Sequence, residues 1–199
     1  MKWIPKPSGT IGTIMCLHWR ETFTTLDPYV AALLCLTTLL YRSTGKPLNP
    51  AALWIMALLV VLALSTSTQV LIALDGAGAT RYRLLPIRGW RILLAKDLAW
   101  LFLLAPVVGF LSPASGFTAG LAALTVGNHR SATRHIPQQR GRFTSGTLFP
   151  DGFIQTILIF AAGNGIASLG NALLIACLLV WVASVFVFGW FWDRSRYAP

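Results

Sequence analysis

The chain has 199 residues, of which 55% are hydrophobic and 11% are charged. Charged residues make up about 25% of a typical soluble domain, so this composition excludes an ordinary soluble enzyme and indicates a protein built within a membrane. The net charge of +10 does not lead us to expect nucleic-acid binding, because the basic residues stand beside apolar segments, where membrane topology accounts for them.

The first 27 residues predict a cytoplasmic N-terminus and an interfacial helix. Residues 1–7 contain two lysines but no apolar core ahead of a cleavage site, so we expect no removable signal peptide. Between residues 11 and 26, apolar side chains recur every three or four positions beside a polar face. This pattern is typical of an amphipathic helix that lies in the membrane interface as an elbow. Asp27 as the N-cap and Pro28 as the first helical residue predict that a new helix starts here.

Six apolar segments follow, and we predict six transmembrane helices within residues 28–192, ahead of a cytoplasmic tail at 193–199. The first segment is short, and the fourth is the weakest prediction, because it falls below the ~17 residues usually needed to cross a bilayer even when it starts at Pro113. Extending it back through Leu111 would lengthen it. The predicted spans are residues 28–41, 51–74, 90–111, 116–126, 152–169 and 172–192.

The basic residues in the loops between these segments are distributed very unequally between the two sides of a membrane. If the loops alternate between the two sides of a bilayer, 14 Lys and Arg residues fall on one side, and only Arg42 and Lys46 fall on the other. Because such residues are retained in the cytoplasm, both termini are predicted to be cytoplasmic. Without a crossing by the fourth segment the split would be 8 to 8, so charge supports that span. The 14 are Lys2, Lys6, Arg20, Arg81, Arg83, Arg88, Arg91, Lys96, Arg130, Arg134, Arg140, Arg142, Arg194 and Arg196.

Motifs of soluble enzymes do not occur in this sequence. A glycine-rich loop ending in Gly-Lys-Ser or Gly-Lys-Thr is missing, so we do not expect this chain to bind ATP by itself. The three histidines lack metal-ligand spacing, and the three cysteines are widely separated, so we expect neither a metal site nor a disulfide framework. An acidic phosphotransfer site at Asp75 would be incomplete, because only Asp97 follows in range. We therefore predict no catalytic residue.

The segment from residue 74 to 99 is the most informative for function. Leu85 and Pro86 precede a basic turn with Arg88 and Arg91, and a helix then begins with Ile-Leu-Leu-Ala-Lys at 92–96. This segment resembles the cytoplasmic loop between the second and third spans of ABC-2-type exporter permeases. The elbow helix, the six spans and the cytoplasmic ends are also similar to that family, so the resemblance covers about residues 11–192.

The resemblance implies that this loop contains a coupling helix that docks on a separate ATPase, which would hold ATP and Mg²⁺. Apolar residues of the loop would pack into a groove on the ATPase, while its arginines would meet an acidic rim. Alternatively, the arginines only set topology and contact lipid phosphates. A second permease copy or a related permease would complete the pathway in the bacterial cytoplasmic membrane. The implied coupling residues are Arg81, Tyr82, Arg83, Leu84, Leu85, Pro86, Ile87 and Arg88.

A second set of candidate residues is polar and lies within the predicted spans. Asp97 is the most unusual, since an ionisable side chain in a span needs a donor from another helix or subunit. Its neighbour Lys96 is expected to extend back to the cytoplasmic surface. Two interpretations stay open for the set, namely packing between helices and lining of a substrate path. Its members are Ser65, Thr68, Gln69, Asp97 and Asn164.

The sequence therefore predicts the permease subunit of an ATP-driven, ABC-2-like exporter. The alternative is a self-sufficient membrane transporter, or a membrane assembly factor, that has no ATPase partner. A membrane enzyme is a third class, but it would need acidic, His or Ser side chains that converge at one depth, and the sequence offers no such set.

Overall fold

The structure, a computed structural model, describes residues 9–24, 26–45, 49–67, 86–133 and 145–196. Within these ranges the chain forms seven α-helices and no strand, so the predicted all-helical fold is confirmed. The helices are α1 (Thr10–Thr22), α2 (Asp27–Ser43), α3 (Pro50–Ser67), α4 (Gly89–Leu111), α5 (Pro113–Thr133), α6 (Ser145–Leu169) and α7 (Asn171–Arg196).

The lengths and surfaces of these helices identify a membrane protein. Among the described residues, α4, α7 and the Gly152–Leu169 part of α6 are long and apolar enough to cross a bilayer. Helices α1 and α2 together also satisfy this test as a pair bent by 74°. Large apolar side chains, including Leu33 and Leu179, are more than half exposed. Water would disfavour apolar surfaces of this extent, whereas lipid does not. The number of six spans stays a prediction.

A helix occurs where the sequence predicts the elbow helix, with shifted ends, and its position in the membrane interface stays a prediction. Helix α1 ends at Thr22, and α2 begins at Asp27 with Pro28 in its first turn. The prediction of Asp27 as N-cap was wrong by one position, since Leu26 occupies that place. The Nε1 of Trp19 donates a hydrogen bond of 2.6 Å to the carbonyl of Ala99. This bond holds the elbow helix against α4.

Helix α5 corrects the predicted fourth span. It has 21 residues, which gives a length of about 30 Å, whereas the sequence predicted a helix that ended near Val126. Most of the added length lies at the C-terminal end, after residue 126, and three residues are added before residue 116. The expected extension back through Leu111 is wrong, because Ser112 is extended and separates α5 from α4. Helix α5 contacts α3, α4, α6 and α7. Many of its buried positions hold small residues, including Ser115, Gly116, Ala119, Gly120, Ala123 and Gly127.

Close contact between two glycines joins the start of α4 to the end of α7. A Cβ added to Gly189 would lie 2.4 Å from the backbone nitrogen of Trp90, and one added to Gly89 would lie 2.5 Å from the carbonyl oxygen of Gly189. The backbone N–H of Gly89 donates to Asp193 Oδ1 at 2.8 Å, so a side chain of α7 caps α4. These two helix ends therefore lie at the same end of the bundle.

Contacts at the other helix ends agree with this arrangement. The guanidinium carbon of Arg42, near the end of α2, lies 5.5 Å from the ring centre of Phe110, near the end of α4. Gly170 joins α6 to α7 with a φ of +57°, a left-handed conformation that glycine adopts without strain. The start of α4 and its contact with Arg42 thus mark opposite ends of the bundle.

Candidate functional site

The described part of the predicted coupling loop lies beside the elbow helix. Arg81, Tyr82, Arg83, Leu84 and Leu85 fall outside the described residues. Pro86 and Arg88 are exposed, whereas Ile87 is half-buried and packs against the core. Pro86, Ile87 and Arg91 border a cleft of about 550 Å³ together with the first turn of α1, including Gly9 and Ile11. The structure thus brings the end of this loop against the N-terminal end of the elbow.

The polar residues predicted within the spans do not form one group. Ser65 is buried in α3 and donates to the carbonyl of Leu62 on its own helix at 2.6 Å. Asn164 lies on an exposed face of α6. Thr68 and Gln69 fall outside the described residues. Asp97, by contrast, is completely buried.

Asp97 is the centre of a polar cluster between α4, α5 and α7. The Nδ2 of Asn128 donates to Asp97 Oδ2 at 2.9 Å and to Ser184 Oγ at 3.2 Å. The Nε1 of Trp181 donates to the same Asp97 oxygen at 2.7 Å. The Ser184 hydroxyl in turn donates to the carbonyl of Trp181 at 2.7 Å. Three helices are thereby tied to one carboxyl group.

The two oxygens of Asp97 differ in their surroundings. Oδ2 accepts both hydrogen bonds, whereas Oδ1 is buried and has no hydrogen-bond partner among the described residues. Asp97 lies eight residues after the start of α4, which corresponds to about 12 Å along the helix axis. A buried carboxyl oxygen without a donor is costly. Oδ1 can accept a hydrogen bond from a further donor, take up a proton or bind a cation.

Lys96 and His18 add two ionisable groups on the elbow side of α4. The expectation that Lys96 extends to the surface was wrong, because its side chain is only 4% exposed. His18 of α1 is also buried, and neither of its ring nitrogens has a hydrogen-bond partner among the described residues. The two side chains are close enough to interact electrostatically. Burial of Lys96 is explained by α1, which covers this side of α4.

Sequence reasoning missed the partners of Asp97. Asn128 falls between the predicted fourth span and the basic loop, so it was not assigned to the membrane. Ser184 carried a signal, since it is the only hydroxyl residue in the apolar part of α7 and stands three residues after Trp181. Three residues are close to one helical turn, so the two side chains share a face. That face could have been proposed as a polar contact with α4.

Comparisons with protein-family models, curated proteins and solved structures find no match to this chain. Among the described residues, no three His, Cys, Asp or Glu side chains are grouped so that they could hold a metal ion. Any functional assignment therefore depends on the sequence pattern and on the geometry of the cluster and the cleft.

Proposed function

We propose that this protein is the permease subunit of an ATP-driven, ABC-2-like exporter in the bacterial cytoplasmic membrane. The observation that carries the proposal is the position of the end of the predicted coupling loop. Pro86 and Ile87 lie beside the first turn of the elbow helix, and Arg88 is the N-cap of α4. A separate ATPase, holding ATP and Mg²⁺, docks on this end of the molecule. The six segments form half of the pathway, and a second copy or a related permease forms the other half.

Contacts around this position give a path for movement. The start of α4 is joined to α7 through Asp193 and Gly189, and α4 is joined to α1 through Trp19. A push on Pro86 from the ATPase would therefore displace α1, α4 and α7 together. Packed helices move as units between discrete arrangements. In this proposal, such a movement alternates the pathway between inward-facing and outward-facing states.

Charge reversal at Arg88 tests the docking. Arg88 is exposed, so Arg88→Glu should leave the fold intact while placing a negative charge against an acidic rim on the ATPase. We expect at least tenfold less ATPase to co-purify with the tagged protein, since like charges that face each other cost several kcal/mol at an interface and each 1.4 kcal/mol is about tenfold in affinity. Arg42→Glu at the opposite end of the bundle is the matched control and should retain the ATPase.

The same purification would contradict the proposal if no ATPase with a glycine-rich phosphate loop accompanied the unaltered protein from its native membrane. Equal loss of the ATPase in the Arg88 and Arg42 variants would also contradict it, because charge at the outer end should not affect docking. Mass spectrometry of the retained chains, together with ATP hydrolysis by the complex, provides both measurements.

A self-sufficient ion-coupled transporter is the second candidate, and the observation that favours it is the buried Oδ1 of Asp97. Ionisable groups inside membrane segments often belong to ion or proton pathways. In that case the protein, reconstituted alone in vesicles, would transport its substrate along an imposed ion gradient without ATP. Asp97→Asn would abolish this transport.

A further inference from the structure

An open groove of about 620 Å³ lies between α4, α5 and α7. Its lining is apolar and includes Leu98, Phe102, Ala105, Phe117, Leu178 and Trp181. A cavity of this size falls within the range of small-molecule sites, which are typically apolar with a few polar groups that fix the ligand.

Trp181 belongs to both the groove and the Asp97 cluster. Its side chain lines the groove, while its Nε1 donates to Asp97 Oδ2. The carboxyl group of Asp97 thus lies next to the groove wall, with its Oδ1 buried and without a hydrogen-bond partner among the described residues. The groove and the carboxyl group with the unsatisfied oxygen are thus separated by the Trp181 side chain.

The other charged groups nearby lie on the far side of α4. Successive helical residues are rotated by about 100°, so Lys96 lies about 200° around the helix from Leu98, which lines the groove. His18 approaches Lys96 from α1. Lys96 also interacts electrostatically with Asp97. Because Asp97 accepts a hydrogen bond from the groove-lining Trp181, the acidic member of this pair lies on the groove side of α4.

We infer that the groove binds a hydrophobic organic cation, with its apolar body against Phe102 and Phe117 and its charge at Asp97. Aromatic faces attract cations in addition to excluding water, and the carboxylate neutralises the charge. Because Asp97 is completely buried, Trp181 must turn aside for the contact to form. As a statement of the exported substrate class, this inference depends on the proposed exporter function.

Binding of two ions of equal size and opposite charge tests the inference. Tetraphenylphosphonium and tetraphenylborate are measured by equilibrium dialysis against the full chain in phosphatidylcholine nanodiscs, with empty nanodiscs as the blank. We expect saturable binding of one phosphonium ion per chain and weaker binding of the borate. Asp97→Asn, which retains an oxygen for the bonds from Asn128 and Trp181, should bind the phosphonium about tenfold more weakly.

Two phenylalanine variants, one in the groove and one outside it, keep the test decisive if Asp97→Asn does not fold. Ala105→Phe fills the groove and should abolish saturable binding of the phosphonium. Ala161→Phe adds the same ring to an exposed face of α6 outside the groove and should bind like the unaltered chain. Unchanged phosphonium binding in Ala105→Phe or in folded Asp97→Asn would overturn the inference, as would borate binding of equal strength.

No ATPase is present in this assay, so its outcome is separate from that of the docking experiment. An ATPase that co-purifies with a chain that binds no phosphonium would leave the exporter function standing and remove the substrate class. Phosphonium binding by a chain with which no ATPase co-purifies would leave the cation site standing and remove the exporter function. The site would then belong to a self-sufficient transporter.

Discussion

At the scale of single residues, Asp97 is held through one oxygen only. Both donors, Asn128 Nδ2 and Trp181 Nε1, meet Oδ2. Removal of the acceptor would therefore leave two buried donors unsatisfied at once, and each such group costs about 1–3 kcal/mol. The sequence identified Asp97 because its charge interrupts an apolar helix. It could not identify the donors, since Asn and Trp are common near membrane surfaces and their pairing depends on which helices meet.

Two substitutions at Asp97 separate its structural role from its role in transport. Asp97→Leu should lower the free energy of unfolding by about 2 kcal/mol or more, because both donors lose their acceptor. Asp97→Asn should stay close to the unaltered chain in stability and yet lose transport. Thermal unfolding in detergent and flux in vesicles are the two measurements. A chain with Leu at this position that is as stable as the original would show that the cluster does not hold the helices together.

At the scale of helices, α5 explains why a central element has the weakest sequence signal. A helix in contact with lipid on one side needs large apolar residues, and α7 accordingly exposes Leu179, Phe186 and Phe191. Helix α5 contacts four other helices, so its small residues permit close approach. Low hydropathy at this position is a consequence of burial among helices. The sequence prediction therefore made α5 too short, although it placed the apolar parts of α4, α6 and α7 well.

Close packing at the α4–α7 contact gives a stability prediction for Gly189. In Gly189→Ala the new Cβ would lie 2.4 Å from the Trp90 nitrogen, and backbone atoms cannot move aside cheaply. We expect a loss of about 1–3 kcal/mol, as for other overpacked sites. Gly109→Ala in α4 is the control, since a Cβ there meets nothing within 4 Å and alanine favours the helix. Similar melting temperatures for the two variants would mean that α4 and α7 are not in close contact.

At the scale of the whole molecule, charge and packing describe different properties. The distribution of Lys and Arg predicts which ends face the cytoplasm, because it reflects insertion into the membrane. It carries no information on how the helices surround α5 or on which face of α4 meets Trp181. Those features depend on side-chain shape across helices distant in sequence. The Asp97 cluster and the groove were therefore not predictable, whereas the all-helical fold and the change from one helix to the next near Asp27 were.

Cysteine labelling tests the orientation of the whole bundle. With Cys16, Cys35 and Cys177 replaced by alanine, a membrane-impermeant maleimide should label Thr44→Cys and Asn171→Cys in intact cells. Ser131→Cys and Ser195→Cys should react only after permeabilisation, since charge places both in the cytoplasm.

The positions of residues 131 and 195 in the helices determine what each labelling result means. Residue 131 lies in the last turns of α5, so labelling there from outside would mean that α5 does not cross and would remove the six-span arrangement. The hydrogen bond from Gly89 to Asp193 fixes the start of α4 beside the end of α7. If a cysteine at position 195 reacted from outside, Arg88 would therefore also lie outside, where no ATPase could dock. Both the predicted topology and the exporter proposal would then be wrong.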